Sequence, residues 1–422
     1  MVDRRSAACL AVGSELLGER WLDTNSLLVT RSLARCGVVV VEKRVVGDDA
    51  GAIARAVTEL LRHVDLVVVT GGLGPTADDV TRDGVAMALG RGLGHSCEAE
   101  QWIRERYAAL KREMPPLAQV MASMVDGARA VHNSKGSAPG MVIEVGERLL
   151  VVFPGVPWEM EAMLERDLEP ELARRWPGGR RAVRTLLLSG VIESEIEARV
   201  SHLYDRFGRE NITILASPGV VRLVLSCTVA REGGAGELKA MEAAFRSVLG
   251  EDLAAVDRDS LEEAVLDQLR RAGATLATAE SCTGGLLSAR LTEVAGASDV
   301  LLGGIVCYSN RAKEELLGVP HELLVAHGAV SEEVARAMAG GARERLGTDW
   351  GVGITGIAGP AGGTADKPVG LVHWAVAGPG GVWHRERVFA GGRAATRQWS
   401  ANAALDLLRR VHQGLDQGAR AT

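Results

Sequence analysis

The stretch LVVVTGGLGPTADDVT (residues 66–81) decides the fold of the N-terminal part of the chain. An apolar run leads directly into a loop with three glycines, and the loop ends where a helical pattern begins. A buried strand that turns into a helix in this way is typical of a parallel α/β sheet. The stretch therefore predicts a strand over residues 66–70 and a glycine-rich turn at the carboxyl end of that strand.

The glycine-rich loop has two interpretations that its spacing leaves open. Backbone N–H groups in such a loop can approach a phosphate, and the helix N-terminus that follows adds positive potential. On this interpretation the loop is a phosphate site formed by Gly71, Gly72, Gly74 and Thr76. Alternatively, the loop is a tight turn whose two aspartates only complement the helix dipole.

Acidic side chains near the same sheet edge indicate a possible metal site. Asp78 and Asp79 could hold a divalent cation that bridges phosphate oxygens. Glu15 and Asp23 follow the first predicted strand. Because the carboxyl ends of parallel strands meet at one edge, we expect them to lie near the loop. Asp23 and Asn25 are equally well explained as helix N-caps.

The apolar pattern extends this organisation along the chain. In the N-terminal region it predicts strands at residues 7–12, 38–46, 66–70 and 149–153 and helices at 25–36, 50–62 and 159–164. In the C-terminal region it predicts strands at residues 274–279, 301–308, 350–355 and 369–377 and helices at 285–293, 331–346 and 394–410. The N-terminal region is expected to form a parallel sheet with helices on both faces, and the order in the C-terminal region is again α/β.

A small α+β module is expected between these regions. It is predicted to contain strands at residues 185–189 and 221–229 and helices at 193–204 and 237–249, after a Pro- and Gly-containing seam. The resulting domain prediction is residues 1–176, 180–254 and 258–413.

Composition excludes several classes of protein. Of the 422 residues, 47% are apolar and 24% are charged, which excludes a wholly disordered chain. The net charge of −6 argues against a dedicated nucleic-acid-binding protein, which usually has a strongly basic face. No run approaches the ~20 apolar residues that span a bilayer. We expect a soluble, cytoplasmic protein.

The stretch TAESCTGG (residues 278–285) is the sharpest motif of the C-terminal region. It lies where a predicted strand meets a predicted helix, so Ser281 would stand at the sheet edge beside helix N–H donors. This arrangement suits a nucleophile, although the motif differs from the G-x-S-x-G of hydrolases. The alternative is a capping turn in which Ser281 is the helix N-cap.

A lysine is the candidate base for this serine, since no histidine lies at a persuasive position. Lys313 is conspicuous because Lys is rare in the chain, and it follows another predicted strand. A desolvated Lys loses its proton readily, and Tyr308 could hold or relay that proton. The alternative for Lys313 is an ordinary surface residue.

Two further segments could complete a ligand site. Thr355 and Gly356 begin a glycine-containing loop at the end of a predicted strand, which suggests a ligand floor. Arg393 and Arg397 lie at the start of the last predicted helix, where they could clamp a phosphate. Alternatively, these arginines belong to a solvated helix start.

The N-terminal motifs resemble those of the CinA (competence/damage-inducible protein A) family. The resemblance is carried by VGSELL (12–17), DTN (23–25), VGDD (46–49), the loop at 70–81 and FPGVPWEM (153–160). It implies a molybdopterin-binding three-layer α/β fold, in which some members hydrolyse ADP-ribose. It also implies a metal site at Asp78, Asp79 and Glu15 for Mg²⁺, Mn²⁺ or Co²⁺, in some cases with K⁺, and a phosphate contact for Asn25.

The C-terminal motifs resemble the CinA domain that also occurs alone as nicotinamide-nucleotide amidase. The matching segments are residues 279–285, 303–313, 316–319, 327–331, 355–360 and 367–370. The resemblance implies deamidation of nicotinamide mononucleotide without a cofactor. Ser281, Lys313 and Tyr308 would be catalytic. The residues expected to contact substrate are Glu280, Thr283, Gly284, Gly285, Thr355, Gly356, Arg393 and Arg397.

The same resemblance implies a KH-like middle module, a homodimer and small-molecule nucleotides as partners. No direct nucleic-acid or membrane partner is expected. A rival hypothesis is an accessory protein linked to competence or DNA damage, whose N-terminal domain binds a nucleotide or pterin without catalysis.

Overall fold

The structure, a computed structural model, describes residues 5–176, 180–229 and 234–416. The chain divides into two compact units. The first contains Met1–Ala182 with Cys227–Ala235, and the second contains Val183–Ser226 with Gly236–Thr422.

The first unit is built on a six-stranded sheet. The strands are β1 (Ser6–Val12), β2 (Val39–Val46), β3 (Leu66–Thr70), β4 (Leu93–His95), β5 (Ser123–Val125), β6 (Ala128–Val131), β7 (Gly140–Val145) and β8 (Arg148–Phe153). The helices are α1 (Asn25–Arg35), α2 (Ala50–Leu60), α3 (Thr81–Leu89), α4 (Cys97–Ala109), α5 (Pro157–Met163) and α6 (Glu169–Arg175). The sheet order is β2-β1-β3-β8-β7-β6, and β4 pairs with β5 separately.

The prediction of a parallel sheet is right for only part of this unit. Strands β2, β1, β3 and β8 are parallel, whereas β7 and β6 are antiparallel to their neighbours. The reason is the connection between β7 and β8, which has only two residues, Gly146 and Glu147. Such a short connection can join only antiparallel strands.

The central strand β3 is buried along its whole length. Its alternate residues enter two separate cores, since Val67 and Val69 pack in one cluster and Leu66 and Val68 in another. Burial on both faces explains the continuous apolar run in the sequence. The loop that follows β3 therefore starts from a rigid support.

The strands after residue 179 form two further sheets, and nine α-helices of the described residues accompany them. The strands are β9 (Arg180–Ser189), β10 (Ile212–Ser217), β11 (Val220–Val229), β12 (Leu253–Val256), β13 (Leu276–Glu280), β14 (Leu301–Val306), β15 (Trp350–Gly356), β16 (Leu371–Gly378) and β17 (Gly381–Val388). The helices are α7 (Glu193–Val200), α8 (Tyr204–Phe207), α9 (Gly234–Leu249), α10 (Leu261–Ala272), α11 (Leu286–Thr292), α12 (Asn310–Leu317), α13 (His321–His327), α14 (Glu332–Leu346) and α15 (Gly392–His412).

The smaller sheet has the order β10-β11-β9-β12 and the larger one β14-β13-β15-β16-β17. Strands β10, β12 and β17 were not predicted. In the larger sheet β14, β13 and β15 are parallel, whereas β16 and β17 are antiparallel to their neighbours. The strand β13 is fully buried and carries the TAESCTGG motif at its carboxyl end. Among the described helices, none combines the length and apolar character of a membrane span.

Candidate active site

A buried lysine and a serine form the centre of the C-terminal site. The Lys313 Nζ atom lies 2.9 Å from the Ser281 Oγ atom and donates a second hydrogen bond, also 2.9 Å long, to the carbonyl oxygen of Cys307. Lys313 is only 1% exposed. Because burial disfavours the charged ammonium, it lowers the pKa of Lys313. The alternative of an ordinary surface lysine is therefore wrong.

The helix α12 explains why this lysine is buried. Ser309 caps the helix by accepting a hydrogen bond from the Ala312 N–H group. Lys313 and Leu317 are then four residues apart on the face that packs against the domain, and both are buried. The side chain of Lys313 can reach only inward, toward the end of β13.

The serine stands on a tight turn rather than at a helix cap. Helix α11 begins only at Leu286, with Gly285 as its N-cap residue, so the N-cap alternative for Ser281 is wrong. Gly284 and Gly285 have φ values of +59° and +88°, which a residue with a side chain rarely adopts. The Ser281 N–H group donates to the carbonyl oxygen of Ile354 on β15, which ties the turn to the neighbouring strand.

Glu280 supports this turn and does not point toward a substrate. The residue is fully buried, and its carboxylate accepts hydrogen bonds from the Leu287 N–H, the Ser288 N–H and the Ser288 hydroxyl (3.0, 2.8 and 2.6 Å). The first N–H groups of a helix have no partner within the helix, and Glu280 satisfies two of them. The predicted substrate contact of Glu280 is replaced by a positioning role.

The two arginines have different positions. The Arg397 guanidinium donates from Nε and Nη2 to the carbonyl oxygen of Thr283, so it holds the turn that carries the serine. Thr283 itself is buried, and among the described residues its hydroxyl has no hydrogen-bond partner. Arg393 is exposed and donates to the carbonyl oxygen of Gly359 and to the Tyr308 hydroxyl (3.1 and 3.2 Å). Of these two arginines, Arg393 is the more exposed and Arg397 is half-buried.

Tyr308 lies at the rim of the site and not at its centre. It is 61% exposed, and within the described ranges no hydrogen bond joins its hydroxyl to Lys313 or Ser281. The predicted proton relay through Tyr308 is therefore not formed. Instead, the structure pairs the phenol with Arg393.

Thr355 and Gly356 close the floor of the site at the end of β15. The Thr355 hydroxyl donates to the carbonyl oxygen of Ala329, 2.7 Å away, so its proton is not available to a ligand. A β-carbon at Gly356 would lie 2.7 Å from a methyl group of Val372, which explains the glycine.

The glycine-rich loop of the first unit is a tightly bonded turn. The Gly71 N–H group donates to the carbonyl oxygen of Phe153, and the Gly74 and Thr76 N–H groups donate to the Asp79 carboxylate. A β-carbon on Gly71 would lie 2.2 Å from the carbonyl oxygen of Val12. Three of the N–H groups predicted for phosphate are thus used within the protein. These bonds favour the tight-turn interpretation.

The three acidic residues predicted for a metal do not converge. Asp79 also accepts from the Thr76 hydroxyl at 2.6 Å, whereas Asp78 is exposed and hydrogen bonding to Thr76 lowers its pKa. Among the described residues, Glu15 and the two aspartates form no cluster with metal-ligand spacing. The Asp79 oxygens are therefore used within the loop, and the metal site at Asp78, Asp79 and Glu15 stays a prediction.

Arg82 donates hydrogen bonds to this loop, whereas Asn25 donates to the turn that follows β8. Asn25 donates from Nδ2 to the carbonyl oxygen of Gly155 at 2.7 Å, and its Oδ1 atom is buried with no partner in the described part of the chain. Arg82, which sequence reasoning missed, is buried and donates to the carbonyl oxygens of Leu73 and Gly74. An arginine in a first helical turn usually faces solvent, so no sequence signal marked it.

Two known family models match this chain, one in its N-terminal part and one in its C-terminal part. The model of the CinA C-terminal domain matches residues 258–412, and the model of a probable molybdopterin binding domain matches residues 8–174. The predicted α/β fold class, with a molybdopterin-binding N-terminal domain and a CinA C-terminal domain, is thereby confirmed.

Full-length relatives are similar over nearly the whole sequence. A CinA-like protein of Solibacter usitatus is 41% identical over 417 residues, which cover 98% of this chain and 100% of the relative. A CinA-like protein of Acidobacterium capsulatum is 42% identical and covers 96% of this chain and 99% of its own length. Among solved structures, the chain is similar to the crystal structure of competence/damage inducible protein CihA from Agrobacterium tumefaciens. The sequence identity is 45%, the match covers 35% of this chain and 91% of that chain, and the TM-score is 0.35. The chain therefore belongs to the CinA family.

Proposed function

We propose that the C-terminal site hydrolyses the carboxamide of nicotinamide mononucleotide to nicotinate mononucleotide and ammonia. The observation that carries this proposal is the 2.9 Å contact between Lys313 Nζ and Ser281 Oγ in a buried environment. A serine beside a desolvated amine is a known arrangement for acyl transfer. A carboxamide is the acyl group that loses ammonia when it is hydrolysed.

The chemistry needs only the residues of this site. The neutral Lys313 amine accepts the Ser281 proton while Oγ attacks the carboxamide carbon. The resulting ammonium returns this proton to the amide nitrogen, so the C–N bond breaks and ammonia leaves. Water then attacks the serine ester and transfers a proton to the same amine, which releases the carboxylate and restores the hydroxyl. The hydrogen bond from Lys313 to the Cys307 carbonyl keeps Nζ in place through both steps.

Cys282 is adjacent to the serine but is a poor nucleophile. Burial raises the pKa of its thiol to about 12, so the thiolate is scarcely populated at neutral pH. Cys282 therefore provides a matched control for substitutions of Ser281.

Arg393 is the group best placed to bind the phosphate of the nucleotide. Its guanidinium is exposed at the rim beside the Tyr308 hydroxyl, where a phosphate could accept from both groups. Arg397 differs, since its Nε and Nη2 groups both donate to the Thr283 carbonyl oxygen.

Measurement of ammonia release with three substrates tests this function. We expect ammonia and nicotinate mononucleotide from nicotinamide mononucleotide. We expect much lower rates from nicotinamide riboside, which lacks the phosphate, and from free nicotinamide. If nicotinamide mononucleotide gave no ammonia, the proposal would be wrong. Equal rates with the riboside would exclude the proposed role of Arg393.

For the N-terminal domain we propose binding of a nucleotide or pterin without pyrophosphatase catalysis. The match of residues 8–174 to a probable molybdopterin binding domain supports the binding, and the use of the Gly74 and Thr76 N–H groups and of the Asp79 carboxylate within the loop argues against the catalysis. Incubation with ADP-ribose and Mn²⁺ provides the test. Release of AMP that is lost in Asp78→Ala would instead establish the pyrophosphatase.

A further inference from the structure

A second cluster of titratable side chains lies on the hairpin β16–β17, outside the site described above. His373 on β16 pairs in register with Glu386 on β17, and His384 lies two residues from Glu386 on the same strand. Side chains two residues apart, or directly opposite each other in an antiparallel pair, lie on the same face of a sheet. Helix α14 packs on this face, through Ala335 and Ala339.

The ligand atoms of these three side chains converge. The His373 Nδ1 atom lies 3.1 Å from the His384 Nε2 atom and 3.1 Å from a Glu386 carboxylate oxygen. All three atoms lie within 4.8 Å of one another. Ligands about 2.0–2.1 Å from a tetrahedral Zn²⁺ are separated by about 3.3 Å, close to these distances.

Proton sharing alone satisfies this cluster poorly. An imidazole nitrogen carries either one proton or one lone pair, yet His373 Nδ1 faces both the His384 nitrogen and the Glu386 oxygen. A divalent cation among the three atoms would accept electron density from all of them.

The outer surroundings resemble those of a metal-ligating histidine. The His384 Nδ1 atom lies 3.4 Å from a Glu332 carboxylate oxygen, so the Nδ1 proton faces that carboxylate and Nε2 stays free to ligate. Arg336 holds the other Glu332 oxygen at 2.7 Å. These groups belong to α14, so the cluster connects that helix to the edge of the sheet.

One side of the cluster is open. A groove of about 550 Å³ is lined by His373 and Glu386 and also by Glu333 and Lys367. The Lys367 ammonium in this groove donates hydrogen bonds to the carbonyl oxygens of His327 and Val330. The groove gives a metal ion a path of entry and leaves room for a water ligand.

We propose that His373, His384 and Glu386 bind one divalent transition-metal ion of the Zn²⁺ class, with Glu332 as the outer partner of His384. The donor set of two imidazoles and one carboxylate suits Zn²⁺ and Co²⁺ better than Mg²⁺ or Ca²⁺. The ion would fasten the edge strand β17 to β16. Since His373 pairs in register with Thr355, it would lie one strand away from the floor of the candidate active site.

Cobalt provides a direct probe of this site in the full-length protein. After removal of metals with a chelator, we expect Co²⁺ to bind with one equivalent per chain and to give the visible absorption of a four- or five-coordinate ion. Zn²⁺ should displace Co²⁺ and raise the Tm. These readouts do not depend on amidase activity.

Two variants and one control locate the ion. Glu386→Gln should weaken Co²⁺ binding at least about tenfold, and it should fold normally because the side chain is 59% exposed. His384→Asn should abolish the absorption. His321→Asn removes a histidine from an exposed pair with Glu314 and should leave binding unchanged. The proposal is overturned if the wild type gives no such spectrum, or if Glu386→Gln and His384→Asn bind Co²⁺ as the wild type does.

Discussion

The Lys313 Nζ atom is shared between the Ser281 hydroxyl and the Cys307 carbonyl oxygen, at 2.9 Å from each. The first contact joins the end of β13 to the helix α12, and the second holds the amine from the end of β14. A base fixed from two sides needs little reorganisation when it accepts a proton.

Removal of the base should leave a folded but slow enzyme. Lys313→Met fills the same buried space without an amine, and we expect kcat for ammonia release to fall about 10²–10⁴-fold, the usual contribution of a general base. The KM should change little, because Lys313 is buried and its contact is with the serine. Steady-state kinetics checks this prediction, with far-UV circular dichroism to establish folding. A variant with unchanged kcat would exclude Lys313 as the base.

The rate should depend on the protonation of Lys313. Burial lowers its pKa, and the neutral amine is the active form, so kcat/KM should rise with pH through that lowered pKa and then become constant. Unfolded Lys has its ordinary, higher pKa and binds more protons than the folded form between the two values. The free energy of unfolding attributable to this group therefore increases with pH over that interval. A rate that falls as pH rises over the same range would contradict the assignment.

Glu280 should affect the stability of the turn more than the affinity for substrate. Glu280→Gln keeps the size of the side chain but places an NH₂ group against N–H donors of α11. We expect a loss of about 1–3 kcal/mol in the free energy of unfolding, the cost of an unsatisfied buried group. Urea denaturation measures this loss. Unchanged stability together with a higher KM would restore the substrate contact predicted from sequence.

Substitution of Arg393 and substitution of Arg397 should change different kinetic constants. Arg393→Ala should raise the KM for nicotinamide mononucleotide with a smaller effect on kcat, because the exposed guanidinium binds the phosphate in substrate and transition state alike. Arg397→Ala should lower kcat, because it releases the Thr283 carbonyl and loosens the turn. The reverse pattern would mean that the roles are exchanged.

In the first unit, Asp79 and Asp78 form a matched pair for hydrogen exchange. Asp79→Ala removes the acceptor of the Gly74 and Thr76 N–H groups, so both amide protons should exchange faster with solvent. Asp78→Ala removes an exposed carboxylate and should leave the exchange of the Gly74 amide unchanged. Ammonia release should be unaffected in both variants. If Asp78→Ala accelerated the exchange of the Gly74 amide as much as Asp79→Ala does, the Asp79 carboxylate would not be the group that protects it.

The elements with strong apolar patterns were predictable from the sequence. The buried strand β3 and the motif at the end of β13 lie where their patterns place them. Strand β17 was missed because its sequence, GVWHRERV, ends in charged residues that face solvent. The antiparallel direction of β7 relative to β8 was not predicted, because short apolar patterns do not encode strand direction. Here that direction follows from the two-residue connection between the two strands.

The site was predictable only in part, for a physical reason. Ser281 and Lys313 stood out by residue type and spacing, and the structure brings them together. The acidic residues Glu280 and Asp79 are bonded to backbone N–H groups of the adjacent helix or loop. A carboxylate that follows a strand in the sequence can bind a ligand or can accept hydrogen bonds from backbone N–H groups. The sequence pattern is the same in both cases, and only the folded backbone distinguishes them.

The most direct test of the account is the rate of ammonia release from nicotinamide mononucleotide by Ser281→Ala and Cys282→Ser, each compared with the wild type. We expect Ser281→Ala to lose several orders of magnitude in rate, because the nucleophile is gone. Cys282→Ser should show near-normal turnover, because the high pKa of the buried thiol keeps it unreactive. Near-normal turnover by Ser281→Ala, or loss of activity only in a folded Cys282→Ser variant, would contradict the central claim.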